Sequence, residues 1–313
     1  MRSVFLVLLI LLSSFAAVAH ARSVTDHNGR VVEVPDAPQR IVSLHDWTLT
    51  AMATELGAPL IASNGRLAAD GSMFIRGGRE LFGLDFTKVE LASIHGKPDL
   101  ERIRALRPDL IVANAGDYSA LAEQLSTIAP TLMFNAENGK PGFELYREFA
   151  GWIGREQRFD ELQAAYRTRI KALREKLSGA TADRSYAAIL TNGRDGTLSV
   201  LKEYGVLTTV LDDLGLQRVA LTETVPQSTS RMTIGAELIG ELDADLIVTS
   251  YLPETGGTPQ TVFDDLDRIA SGYRDFLHAY ANKRIFSFSR YEVYPTSFRG
   301  AGLLLDQFEE KLR

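Results

Sequence analysis

The chain has 313 residues, no cysteine and a formal charge of −6, with hydrophobic residues at 45% and charged residues at 24%. Thiol chemistry, disulfides and cysteine-held metal centres are therefore excluded for this chain, and a general affinity for nucleic acid or an anionic membrane is disfavoured. The length suits about two domains, each with its own core.

Arg2, the apolar run Val4–Leu12, a set of small residues and Ala19-His20-Ala21 follow the three-part pattern of a secretory signal. Residues 1–21 are expected to be removed after Ala21, so that the mature chain starts at Arg22. Losing the single charge of Arg2 takes the formal charge from −6 to −7. With no cysteine to carry lipid, the expected location is the periplasm, as a free protein rather than a lipoprotein. No later stretch is apolar for long enough to span a bilayer.

Residues 22–154 are expected to form a first α/β lobe. Thr25-Asp26-His27-Asn28-Gly29-Arg30 is a turn before Val31–Pro35, a hairpin-like start. Ile41–Leu44 reads as a buried strand and Thr48–Leu56 as a helix stopped by Gly57. Residues 63–96 read as a long connection that holds Arg66, Arg76, Arg79 and His95. Glu101–Val112, ERIRALRPDLIV, gives an amphipathic helical segment, a turn and an apolar strand suited to a parallel sheet covered on both faces. A further helix (Leu121–Ile128) and strand (Thr131–Phe134) follow.

Residues 155–179 are expected to form one long connecting helix. Phe159, Leu162, Tyr166, Ile170, Leu173 and Leu177 recur in steps of three and four, and about 22 residues would span about 33 Å. Residues 180–313 then repeat the first plan. Tyr186–Leu190 is a strand, Thr208–Leu214 a helix, and Glu237–Val248, ELIGELDADLIV, repeats the Glu, the Ile two residues on, the Leu at five and the Asp-Leu-Ile-Val of Glu101–Val112 at an offset of 136 residues. Phe276–Ala281 and Gly300–Lys311 read as helices around the strand Ile285–Phe288.

The repeat places Glu101 and Glu237 at the starts of matching helical segments. A carboxylate there complements the helix dipole, worth about 0.3–1 kcal/mol; alternatively, two similar lobes each present one carboxylate to a common partner. Residues beyond strand ends in both halves form a candidate ligand set, because open α/β sheets bind ligands at the carboxyl ends of their strands. The set is Trp47, Arg76, His95, Tyr118, Arg194, Arg231, Tyr251, Arg290 and Tyr294. Arginine forks suit carboxylate or catecholate oxygens, and aromatic faces suit planar chelating groups. Phosphate loops, nucleophile elbows, zinc-protease and dinucleotide motifs are all absent. His45 and His95 leave a metal site as a minor alternative.

The segments TDHNGRVVEVPDAPQRIVSL and PDLERIRALRPDLIVAN, the long helix, the second Glu segment and Ala281–Ile285 together resemble the periplasmic binding proteins for ferric siderophores and vitamin B12. The likeness covers essentially the whole mature chain. It implies an α/β fold of two Rossmann-like lobes with mainly parallel central sheets, joined by one rigid helix, with the ligand in the cleft between them. It implies a monomeric, non-enzymatic binder with no intrinsic cofactor, carrying an Fe(III)-siderophore to the permease dimer of an inner-membrane ABC importer. By resemblance, Glu101 and Glu237 would dock on permease arginines. Some hydroxamate-binding members have Arg six residues before the first Glu, where this chain has His95. Haem, cobalamin and metal ions are the alternative ligands within the class.

Overall fold

The computed structural model describes residues 21–312; the expected signal segment, residues 1–20, lies outside the described residues. β1 (Ala21–Thr25) and β2 (Val31–Pro35) form an antiparallel hairpin. Asp26, 4% exposed, holds its turn. It accepts from the backbone N–H groups of Asn28, Arg30 and Met133 and from the Arg30 guanidinium, pinning the hairpin to the first sheet.

That sheet contains β3 (Ile41–Leu44), β4 (Leu60–Leu67), β5 (Met73–Phe74), β6 (Glu90–Ile94), β7 (Leu110–Asn114) and β8 (Thr131–Phe134). Its order is β5-β4-β3-β7-β8, with β6 also on β4 and every pairing parallel except β4–β5. β3 and β8 are buried throughout, as two-sided burial requires. Residues 63–96, expected as a connection, thus carry strand structure. The sequence conceals β4 because Ser63 and Asn64 interrupt its apolar run. Both are fully buried and satisfied from distant parts of the chain: Thr50 Oγ1 lies 2.7 Å from Ser63 Oγ, and Ser93 donates to Asn64 at 2.6 Å.

The second sheet contains β9 (Ser185–Asn192), β10 (Thr197–Leu201), β11 (Gln217–Arg218), β12 (Arg231–Ile234), β13 (Leu246–Tyr251) and β14 (Ile285–Ser289). Its order is β12-β10-β9-β13-β14, with β11 also on β9. β13 runs parallel to β9 and β14, while β10 runs antiparallel to β9 and β12.

The sequence repeat is a structural one. β7 pairs with β3, and β13 occupies the same position beside β9. The aspartate of each copy clamps the start of the neighbouring parallel strand. Asp109 accepts from the Gln39 and Arg40 backbone at 2.7 and 2.8 Å; Asp245 accepts from the Ser185 backbone at 2.9 Å. The copies differ in their helical part. Leu100–Ala105 is an α-helix capped by Asp99, whereas Ala236–Leu242 is a 3-10 helix. Gly240 weakens α-helix there; three-residue turns still align Ile239 with Leu242, and both are buried. Phe276–Ala281, expected as one helix, is two short turns, Tyr273–Phe276 and His278–Ala281. Leu277 breaks it with an extended backbone, and Asp243 captures the His278 N–H at 2.7 Å.

The connecting helix runs Glu156–Thr181, 26 residues or about 39 Å. Its stripe of Phe159, Tyr166, Ile170, Leu173 and Leu177 is buried. Arg169 and Lys176 pair with Asp306 and Glu309 of the C-terminal helix Phe298–Lys311. One apolar core runs from Leu49 and Phe134 through this stripe to Leu207, Val248 and Leu305, so the two lobes share packed interior. Among the described residues no helix is long and apolar enough to cross a membrane.

Candidate functional site

The carboxyl ends of β3 and β14 face each other across the junction of the lobes. Trp47, at the start of the helix after β3, is 5% exposed. Its ring lies 4.3 Å, centroid to centroid, from that of Tyr294, which follows the short helix after β14. Tyr204 completes the group with its ring 5.2 Å from Tyr294 and its hydroxyl 3.0 Å from Ser250 Oγ. Burial raises the Tyr204 and Tyr294 hydroxyls above the ordinary phenol range, and a carboxylate beside Tyr294, Glu137, raises that one further. Both stay protonated as donors.

Arg290 sits among these three rings. Its Cζ lies 5.5 Å from the Trp47 and Tyr204 centroids and 5.3 Å from that of Tyr294. Among the described residues no carboxylate pairs with it, and its buried Nε has no hydrogen-bond partner. The ring faces compensate part of the guanidinium's lost hydration. They leave its hydrogen-bonding fork unused, and an anionic oxygen can take it.

The other two arginines of the junction are occupied. Arg76 stacks 4.4 Å from the Trp47 centroid, and its fork is taken by Glu254 of the second lobe. Tyr291 also donates to Glu254, at 2.9 Å. Partial burial pushes the Glu254 carboxyl up, but Arg76 and Tyr291 outweigh it and hold the carboxyl below its usual range. Arg231, at the start of β12, reaches Glu137 of the first lobe at 3.3 Å, and the same Glu137 oxygen accepts from the Tyr294 hydroxyl at 2.8 Å.

Beside the first of these pairs lies a cavity of about 820 Å3, walled by Arg66, Arg79 and His95 from the first lobe and by Glu254, Thr255 and Tyr291 from the second. Its volume is in the range of small-molecule sites. At its inner end the fully buried Asp46 accepts from Arg66 Nε at 2.8 Å, while its other oxygen has no hydrogen-bond partner. His95 Nδ1 lies 3.9 Å from that oxygen and 3.8 Å from Asp117.

The structure therefore brings Trp47, Arg76, Arg231, Arg290 and Tyr294 together and puts His95 on the adjoining cavity. Three other candidates fall elsewhere. Tyr118 is 2% exposed within the first lobe, its hydroxyl accepting from Asn64 at 2.6 Å; the chain turns into a short helix straight after β7 and carries the ring inward. Arg194 stands exposed on the turn between β9 and β10 and, among the described residues, pairs with none of the rings or carboxylates of this group. Tyr251 lines a separate pocket of about 330 Å3 with Glu292 and Lys311. Burial lowers the His45 imidazole to about 4, and its Nδ1 accepts from the Leu49 N–H at 3.4 Å, so it is a neutral packing residue. Among the described residues no group of three histidines or carboxylates is placed to hold a metal ion. Glu101 is exposed at the start of its helix, with 94% of its side chain accessible, and Glu237 is exposed at the matching point.

Sequence reasoning misses Glu137, Glu254 and Tyr204. Each follows a strand, which was the available signal, but acidic residues do not advertise an anion site, and Tyr204 reads as part of a polar break.

Comparison with known proteins follows the same lines. The family model described as "Periplasmic binding protein" matches residues 84–289, more than half of the chain. The ferric enterobactin-binding periplasmic protein FepB of Escherichia coli O6:H1 is 36% identical over 192 residues, which cover 56% of this chain and 57% of that protein. The match thus spans little more than half of that relative. The putative ABC transporter substrate-binding lipoprotein YhfQ of Bacillus subtilis is 23% identical over 313 residues, covering 94% of this chain and 89% of that protein. Among solved structures, Staphylococcus aureus SirA complexed with staphyloferrin B superimposes with a TM-score of 0.73 at 20% identity, covering 93% of this chain and 98% of that one. The FhuD protein of S. pseudintermedius gives 0.72 at 17% identity, covering 94% and 98%. These likenesses establish the two-lobed fold.

Proposed function

We propose that this chain, which belongs to the periplasmic binding protein family, captures an anionic ferric siderophore between its lobes and delivers it to the permease dimer of an ABC importer. The observation that carries this reading is Arg290, a cation with no carboxylate partner among the described residues, held by three aromatic rings where the strand ends of both lobes meet. A ferric chelate has anionic oxygens for the guanidinium fork and flat ligand rings for Trp47, Tyr204 and Tyr294. FepB, named for ferric enterobactin, and SirA, solved with staphyloferrin B, support the ligand class.

In this reading residues 22–154 and 180–313 are the two lobes and 155–179 the joining helix. The signal is removed after Ala21 and the mature protein is a monomer in the periplasm. The chain binds and releases its ligand without chemical turnover. Glu101 and Glu237, one exposed carboxylate per lobe at matching positions, dock on the permease. The test is absorption spectroscopy and native mass spectrometry of protein purified from iron-limited cells. The expected result is a broad charge-transfer band and one retained ferric chelate per chain. A Soret band, or no retained chelate in cells that secrete siderophores, would overturn it.

A further inference from the structure

Each lobe contributes one arginine and one glutamate to the junction, and the pairs are reciprocal. Arg76 of the first lobe is held by Glu254 of the second, and Arg231 of the second by Glu137 of the first. The backbone approaches closely beside each pair, at a glycine. Gly77, next to Arg76, has φ +66°, and a Cβ there would stand 2.5 Å from the Tyr291 carbonyl oxygen of the other lobe. Gly139, two residues from Glu137, has φ +83°, and a Cβ there would stand 2.0 Å from the Gln227 carbonyl oxygen. Only glycine fits at either point. Two contacts thus close the junction at two places, with the unpaired Arg290 among the rings between.

We infer that Glu137 and Glu254 are specificity-determining residues: they act as internal ligands of the cleft arginines, hold the two lobes together across the cleft, and must be displaced by the anionic oxygens of the cargo. This rests on the preceding reading that the cargo is an anionic ferric chelate. Arg76 stacks on Trp47, and Arg231 is joined to Tyr294 through Glu137, so both pairs border the rings that hold Arg290 and an anion wide enough to extend beyond Arg290 meets them. A trianionic chelate can replace each carboxylate with an oxygen of its own, which conserves the charge-assisted bonds. A neutral chelate cannot, and would leave the arginines with their internal partners. The two carboxylates therefore compete with anionic cargo for the arginines and lower its affinity, while neutral cargo, which does not displace them, is left nearly unaffected.

The chain has no native cysteine, so Ala69→Cys and Thr255→Cys place a spin-label pair across the 820 Å3 cavity, whose walls include both positions. Their distance distribution is measured without ligand in the wild-type background and with Glu137→Gln and Glu254→Gln combined. Affinities for a ferric tricatecholate of charge −3 and a neutral ferric trihydroxamate are measured on the same backgrounds without labels. Glutamine keeps the size of glutamate and removes its charge. The expected results are a longer or broader ligand-free distance and about five- to tenfold tighter binding of the trianion. Affinity for the neutral chelate should change less than about twofold, well below a tenfold step. An unchanged ligand-free distance, or weaker binding of the trianion, would overturn the inference. If the wild-type protein binds neither chelate, the proposed function falls, and the ligand-free distance alone decides whether the carboxylates close the cleft.

Discussion

Glu55 of the first lobe caps the C-terminal helix of the second: its carboxylate accepts the Phe298 N–H at 2.8 Å. The other oxygen takes the Arg299 N–H at 2.6 Å, and the Tyr146 hydroxyl donates to the group at 2.9 Å. Phe298 stacks on Phe143 with centroids 4.5 Å apart and packs against Tyr146, Phe159 and Tyr166. The lobes are therefore fastened behind the cleft by a half-buried carboxylate and an aromatic cluster as well as by the long helix.

Glu55→Ala should lower the stability of the whole protein by about 2–3 kcal/mol, because two helix N–H groups and a tyrosine hydroxyl lose a charged partner. Urea denaturation followed by circular dichroism measures it. A loss within the error of the method would show that water replaces the carboxylate fully.

The same residue gives a pH dependence with a defined sign. Burial raises the Glu55 carboxyl above its ordinary 4.5, against the lowering effect of the Phe298 and Arg299 N–H groups and Tyr146. The folded protein then keeps a proton that the unfolded chain has lost, so this site's contribution falls as pH rises from about 4.5 through the raised value. Denaturation midpoints of Glu55→Gln should decline less over that window than those of the wild type.

Closure on ligand binding should be small. A 26-residue helix and the Glu55–Phe298 fastening leave no loop hinge behind the cleft to absorb large changes of φ and ψ. Small-angle scattering of free and loaded protein should give nearly superimposable curves. A change in radius of gyration like that of loop-hinged binding proteins would contradict this.

Arg290→Ala should weaken binding of an anionic ferric chelate roughly ten- to a hundredfold, the equivalent of one hydrogen bond to a charged partner. Arg290→Lys should restore only part of it, since the fork is lost. Arg194→Ala should change affinity less than about twofold, because Arg194 is exposed and, among the described residues, makes no contact with the ring cluster. Titration of tryptophan fluorescence against the chelate separates the three variants.

Glu101→Ala combined with Glu237→Ala should abolish delivery to the permease in reconstituted vesicles and leave ligand affinity unchanged. Both side chains are exposed, and neither walls the interlobe cavity. Normal uptake by the double variant would remove them from docking.

The sequence by itself determined whatever depends on local periodicity and chain-wide repetition. The stripe from Phe159 to Leu177 is a helix face because steps of three and four leave no other solution. The two Asp-Leu-Ile-Val copies are matching parallel strands because continuous apolar runs need cover on both faces. Those features, with the motifs of residues 25–44, carried the two-lobed architecture and the family. Strand-end placement found Trp47, Arg290 and Tyr294, since loops beyond the parallel strands β3 and β14 converge by topology; Arg76 and Arg231 join them from the ends of the antiparallel strands β5 and β12.

Only the tertiary structure decided what those residues do to one another. β4 is invisible locally because Ser63 and Asn64 are paid for by partners 13 and 29 residues away. Tyr118 and Tyr251 share the strand-end signal but point elsewhere, since one residue of chain rotation separates a cleft from a core. Whether an arginine is free or occupied depends on a carboxylate 178 positions away for Arg76 and 94 for Arg231. Ion pairs across two lobes have no sequence period, so Arg290 could be distinguished from its neighbours only once Glu137 and Glu254 had been placed in space.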